Sequence, residues 1–149
     1  MNTTPATATD LRATLLGGGV RAALIELNRA APYRFTALYQ FDDPLARNLY
    51  FYDRENPDVE VGDDYPVEAS YCVYVRDSGC VFLVEDAPDG PVLSGKAVQG
   101  RVKAYCGVPV LDRDGHTSGT LCHFDLIPVP ADAECVALME TLARLLSRA

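Results

Sequence analysis

No stretch of the 149 residues is basic enough to offset a formal net charge of −8, which argues against nucleic acid or an anionic membrane as the main partner. No apolar run approaches the roughly 18–20 residues of a membrane span, and the start, MNTTPATATD, lacks the basic and apolar regions of a signal peptide. A cytoplasmic location is therefore expected. The five cysteines, Cys72, Cys80, Cys106, Cys122 and Cys135, are odd in number and show no CxxC spacing. In a reducing compartment they are expected as free thiols, mostly acting as small buried hydrophobes. No nucleophile elbow accompanies the serines, and of the two histidines only His123 is a candidate base, so nothing points to a hydrolase. Gly17-Gly18-Gly19 follows no strand and no Lys-Ser/Thr comes after it, so it is not read as a phosphate cradle. No internal repeat is present.

What is there suits one globular domain. The 48% apolar content and 23% charge are ordinary for a soluble fold, and 149 residues bury about 70% of their unfolded surface. Residues 1–9, rich in Thr and Ala, read as a disordered tail, with the domain over 10–149. Asp10 is the candidate cap of a helix through LRATLL that resumes as VRAALIELNRAA, with a break or bend at the three glycines. RFTALYQFD (34–42) and NLYFYD (48–53) alternate and read as strands, joined by a turn in DDPLAR. RENPDVEVGDDYP carries five acids, two prolines and a glycine, the composition of a solvated loop or lid. VEASYCVYV reads as a short helix started at Pro66, CVFLVEDA (80–87) as a strand, and GPVLSGKAVQG (90–100) as a loop with a helical turn. RVKAYCGVPVLD and HTSGTLCHFDLIP are two further strands. DAECVALMETLARLLSRA is an amphipathic helix capped by Asp132, with Cys135, Leu138, Met139, Leu142, Leu145 and Leu146 on one stripe. Antiparallel hairpins flanked by helices make an α+β domain.

The last hairpin raises the functional question, because GTLCHFD sets His123 and Asp125 into an apolar strand. They lie one strand repeat apart and so point to the same side. LDRDGHT suits a type I turn with Gly115 left-handed, pairing Asp112 with His116. That register places Cys106 opposite Cys122, Tyr105 opposite His123 and Lys103 opposite Asp125. It collects Lys103, Tyr105, Leu121, His123 and Asp125 on one face, and Ala104, Cys106, Val108, Thr120, Cys122 and Phe124 on the other. The second face is expected under the terminal helices, and the first against a cavity with a few convergent polar groups. A satisfied cross-strand pair at the sheet edge is the competing reading of His123 and Asp125. A metal site from Cys106, Cys122 and His123 would draw on both faces, and none is expected.

YCGVPV, a Gly-bearing turn and SGTLCHFDLIP together resemble the closing hairpin of GAF domains, in which a VP(L/V) strand precedes a G-x-L strand. VFLVEDA resembles their strand ending in Asp-Ala, ALYQFD their first strand, and SYCVYV the helix after their variable loop. The resemblance covers nearly the whole chain in order. It implies a GAF-like antiparallel sheet with terminal helices on one face and a ligand pocket on the other, serving as a small-molecule sensor. It also implies pocket-side positions for Tyr39, Tyr105, His123 and Asp125, and a place beside the cavity for Asp86, whose alternative is to cap the following turn. Tyr50 and Tyr52 share a face and are candidate wall residues, ordinary sheet packing being the other reading.

The sequence departs from bilin-attaching members in its cysteines and from cyclic-nucleotide-binding members in lacking a long helix. A free-standing sensor is expected, with output through a homodimer of the terminal helices or a separate signalling protein. The short variable region implies a small ligand. Glu68, Ala69, Ser70 and Tyr71 at a helix start would aim amides into the cavity, which suggests a small anion, nitrate-like or a carboxylate, with no cofactor required. An enzyme is not expected. The alternative is a cysteine-based redox sensor or a methionine-sulfoxide-reductase-like enzyme on the same fold, with Cys106 and Cys122 as the redox candidates.

Overall fold

Two helices open the computed structural model, which describes residues 7–87, 90–94 and 99–147. Helix α1 runs Ala8–Gly18 and α2 runs Val20–Arg29, separated at Gly19, whose φ of 89° takes it out of the helical region. The cap lies three residues earlier than the sequence suggested. Thr7 accepts from the Asp10 amide, and Asp10 at the third helical position accepts from the Thr7 amide, so Asp10 is the reciprocal half of a capping box. Thr7, Ala8 and Thr9 of the expected tail therefore belong to the helix start; residues 1–6 lie outside the described residues.

The sheet follows. Strands β1 (Phe35–Asp42) and β2 (Leu45–Asp53) form a hairpin whose connection is only Asp43-Pro44, so β2 takes up Leu45, Ala46 and Arg47 from the expected turn. After the solvated loop come β3 (Tyr65–Pro66), a 3-10 turn (Val67–Ala69), α3 (Cys72–Ser78) and β4 (Phe82–Val84). The small hairpin β5 (Val92–Ser94) with β6 (Gln99–Arg101) lies where a loop with a helical turn was expected over 90–100, of which 95–98 lie outside the described residues. Strands β7 (Ala104–Leu111) and β8 (Thr117–Asp125) and helix α4 (Ala133–Ser147) complete the chain. The Asp132 carboxylate accepts from the Glu134 and Cys135 amides and caps α4.

Six strands form one antiparallel sheet in the order β3-β2-β1-β8-β7-β4. Both its faces are covered. One core packs α1, α2 and α4 against Leu38, Ala104, Cys106, Val108, Val110 and Leu121. The other packs α3 and the 3-10 turn against Phe35, Ala37, Tyr39, Phe51, Tyr105, Cys122 and Phe124. Helices on one face and a variable layer on the other is the α+β arrangement expected. No helix among the described residues is long and apolar enough to cross a membrane.

The β7–β8 register corrects the expected one. The turn itself forms as read, with Gly115 at φ 83° and the Asp112 amide donating to the His116 carbonyl. Leu111 still pairs with Thr117, but the next pair is Val110 with Gly119. Ser118 is the extra residue, a bulge whose hydroxyl donates to the Val110 carbonyl at 3.1 Å. Beyond it every partner moves by one: Cys106 lies opposite His123, Tyr105 opposite Phe124 and Ala104 opposite Asp125. The expected sorting of β7 holds and that of β8 is reversed. Leu121, His123 and Asp125 face the terminal helices, while Thr120, Cys122 and Phe124 join Tyr105.

Candidate functional site: a cavity between the sheet and α3

The cavity lies on the α3 side of the sheet and encloses about 60 Å³, room for about four waters or a molecule of a few heavy atoms. Its floor is Tyr39 of β1, Tyr105 of β7, and Cys122 and Phe124 of β8. Ala69, Ser70, Tyr71 and Cys72 supply one wall, Ala46 and Tyr65 another, and Val102 with Pro91 and Val92 the rim. No charged side chain is among the described residues that line it.

Local sequence explains how these groups meet. Alternation along β1 and β7 sends Tyr39 and Tyr105 to the same face. The Tyr105 ring lies over Gly107, where a Cβ would come within 2.4 Å of the phenol oxygen, so glycine is what leaves the ring its place. The phenol donates to the Cys72 sulfur at 3.5 Å and lies 3.4 Å from the Thr120 hydroxyl. Burial pushes the phenols of Tyr39 and Tyr105 well above their ordinary value, so both remain neutral hydroxyls. Cys72 and Cys122 differ. A hydrogen bond from Cys122 outweighs burial and holds the Cys72 thiol below its ordinary value, with the Tyr105 phenol helping, whereas burial pushes Cys122 well above it.

Of the residues named from sequence, Tyr39, Ala69, Ser70, Tyr71 and Tyr105 line the cavity. Six do not. Glu68 turns outward and pairs with Arg76 at 2.9 Å. Asp86 lies exposed on the loop after β4, which ends at Val84. Tyr50 and Tyr52 stand opposite Leu38 and Thr36, on the helix face; Tyr50 packs into that core and Tyr52 lies under the Arg21 guanidinium at 5.7 Å.

His123 and Asp125 are the larger correction, and both serve the fold. His123 is fully buried, stacked on Tyr33 at 5.3 Å, with Nδ1 2.6 Å from the Thr36 hydroxyl. The Asp125 carboxylate accepts from the Arg34, Leu126 and Ile127 amides, pinning the start of β1 to the end of β8. The Ser118 bulge is the physical reason for both placements. It also separates the expected thiol pair: Cys106 lies on the helix face with its sulfur donating to Met139 at 3.4 Å, and Cys122 lies on the cavity face. Cys106 cannot bridge to Cys122 from there, and burial pushes its thiol up to about 12, with Cys135 adding to the effect. Tyr65, Cys72, Val102 and Phe124 were missed as lining residues. The signal for Cys72 was available, one residue after Tyr71 at the same helix start.

A model of the GAF domain family matches residues 19–149. The chain belongs to the GAF family. GAF domains of phosphoenolpyruvate-protein phosphotransferases from Acinetobacter and Coxiella burnetii superpose with TM-scores of 0.76 and 0.72. They share 14% and 15% identity, over 95% of this chain and 88% of each of those. The free methionine-R-sulfoxide reductase of Neisseria meningitidis, solved with its substrate, superposes with a TM-score of 0.73 at 16% identity, over 95% of this chain and 84% of that one. No curated protein matches. The GAF fold is thus one on which small-molecule sensors and sulfoxide reductases both occur, and this GAF domain places its cavity between the sheet and α3.

Proposed function

We propose that this GAF domain is a sensor for a small, uncharged organic molecule of a few heavy atoms carrying one hydrogen-bonding group. The observation that carries the reading is the lining itself: four tyrosines, two thiols and a serine set among apolar groups, with no charge among the described residues. Such a site rewards desolvation of an apolar body and one or two directed hydrogen bonds. A nitrate or carboxylate finds less there. Helix α3 has seven residues, and the Val73 and Tyr74 amides at its start already donate to the Ser70 and Tyr71 carbonyls. A ligand of about five heavy atoms gains about 7 kcal/mol at best, which sets micromolar affinity as the ceiling.

Titration of the ¹⁵N-labelled protein with n-propanol, isobutyramide, imidazole, nitrate and acetate tests this. Saturable shifts of the Ser70, Cys72, Val102 and Tyr105 amides are expected with the neutral probes and not with the anions; saturation by nitrate or acetate alone would restore the anion reading. Val102→Phe fills the cavity from its rim and is expected to weaken the responding probe at least about tenfold. We propose a homodimer through the terminal helices as the route of output, read by light scattering with and without the responding probe.

A second reading, a sulfoxide reductase, draws support from Cys72 and Cys122 in the cavity wall. Turnover of free methionine sulfoxide with dithiothreitol as reductant tests it; no oxidation of the reductant above background would remove it.

A further inference from the structure

The described cavity brings together two thiols fifty positions apart in sequence, Cys72 at the start of α3 and Cys122 in the middle of β8, with the Tyr105 phenol between Cys72 and Thr120. Of the five cysteines, Cys106 and Cys135 lie in the opposite core and Cys80 is exposed. We infer that Cys72 and Cys122 are an oxidisable dithiol, closed to a disulfide by a small peroxide entering the cavity, and that the bond locks α3 to the sheet across the ligand site. This goes beyond the ligand reading and does not need it.

The surroundings of the two thiols set the order of events. Cys72 sulfur accepts from the Tyr105 phenol at 3.5 Å, and it is the thiol held below its ordinary value, by its interaction with Cys122 first and the phenol after it. It therefore loses its proton first. The Cys72 thiolate attacks one peroxide oxygen and forms an S–O bond as the O–O bond breaks. The departing oxygen takes up the proton that Cys72 released and leaves as water. Cys122 sulfur then attacks Cys72 sulfur, the S–S bond forms, the S–O bond breaks, and a second water leaves with the Cys122 proton. Two thiols are oxidised by two electrons and one peroxide is reduced to two waters.

Cys122 is held toward the Ala37 carbonyl by a weak thiol bond at 3.7 Å, so it has one partner on the sheet and shares the cavity with Cys72. The bridge joins a seven-residue helix in the cavity wall to a strand buried along most of its length. In the oxidised chain α3 can no longer move away from β8, and the cavity loses the space between the two sulfurs.

The full chain carrying Cys80→Ser, which removes the exposed competitor, is treated with hydrogen peroxide, unfolded, alkylated and peptide-mapped. Four alkylatable thiols are expected to fall to two, Cys106 and Cys135, with Cys72 and Cys122 in one cross-linked peptide that dithiothreitol releases. Full alkylation of all four, or a cross-link through any other cysteine, overturns the inference. Cys122→Ser in the same background should stop at a Cys72 sulfenic acid trapped by dimedone, and Cys72→Ser should leave Cys122 untouched; modification of Cys122 in the latter would refute the order of attack. The amide titration of the reduced protein reads the ligand site separately, so a failed cross-link with intact probe binding removes the dithiol alone, and the converse removes only the ligand reading.

Discussion

His123→Gln flattens the acid limb of the stability curve. The surroundings of the imidazole disfavour its charged form. Arg54, which can only donate, gives its Nε hydrogen to Asn28 Oδ1 at 3.0 Å, so the Asn28 amide nitrogen points the other way and donates to Thr36 Oγ1 at 2.8 Å. The Thr36 hydroxyl lies 2.6 Å from His123 Nδ1, and Nε2 is buried without a hydrogen-bond partner, so a second proton on the ring would go uncompensated. Burial first, and the nearby Arg54 charge after it, push the imidazole down to about 3 from an ordinary value of 6.5. Between those two values the unfolded chain binds a proton that the native chain refuses, so stability falls as pH drops from 6.5 toward 3 and is unaffected above 6.5. At 1.36 kcal/mol per unit, the single group removes about 2–3 kcal/mol between pH 7.5 and 4.5. Gln keeps an acceptor for Thr36 and does not titrate. Urea unfolding at pH 7.5 and 4.5 should therefore show a smaller loss for the variant by about that amount; equal losses in the two proteins would contradict the buried neutral ring.

Asp53→Ala should lower stability by about 3 kcal/mol, a fall in Tm of about 10 °C for a domain of this size. The carboxylate has no solvent exposure and accepts from Arg34 Nε and Nη2 at 2.8 and 3.0 Å, from the Glu55 amide and from Asn56. Burial alone would raise its pKa; the Arg34 guanidinium, Asn56 and the Glu55 amide outweigh burial and hold it below the ordinary carboxylate value. Alanine leaves four N–H donors without their acceptor, and the 19% exposure left to Arg34 sets the loss at the lower end of what breaking a buried pair brings. Arg34→Ala should be milder, because Asp53 then keeps Asn56 and the Glu55 amide. Calorimetry of both variants orders them, and an Arg34 variant more damaging than the Asp53 one would show that the guanidinium's seat over the Phe35 ring matters more than its pairing with Asp53.

The long strands and the helices were legible, and β3, β5 and β6 were not, because periodicity and turn chemistry mark an element only when it runs for several residues. Alternation marked β1, β2, β7 and β8, the Cys135-to-Leu146 stripe and Asp132 marked α4, and Asp-Gly marked the turn at 112–116. The parity of β8 was not legible. Ser118 adds one residue just past a correctly read turn, and both faces of the strand are buried, so Thr120, Cys122 and Phe124 suit either side as well as Leu121, His123 and Asp125 do. Polarity misled for the same reason. An imidazole and a carboxylate inside an apolar strand look like ligand groups, and here the carboxylate accepts from backbone amides while the imidazole meets Thr36 through Nδ1 inside the helix-side core. The lining residues that were found, Tyr39, Ala69, Ser70, Tyr71 and Tyr105, sit on elements with no bulge between them and their reference turn or helix start.

Ser118 also governs how chemistry transfers between relatives. Two members of the family that differ by this one inserted serine can spell the same letters after it and still exchange inside for outside, so that a cysteine beside the ligand in one is a cysteine beneath the helices in the other. Matching functional positions along this strand thus requires counting hydrogen-bonded partners rather than characters, and a single-codon insertion there amounts to a change of address for every side chain downstream.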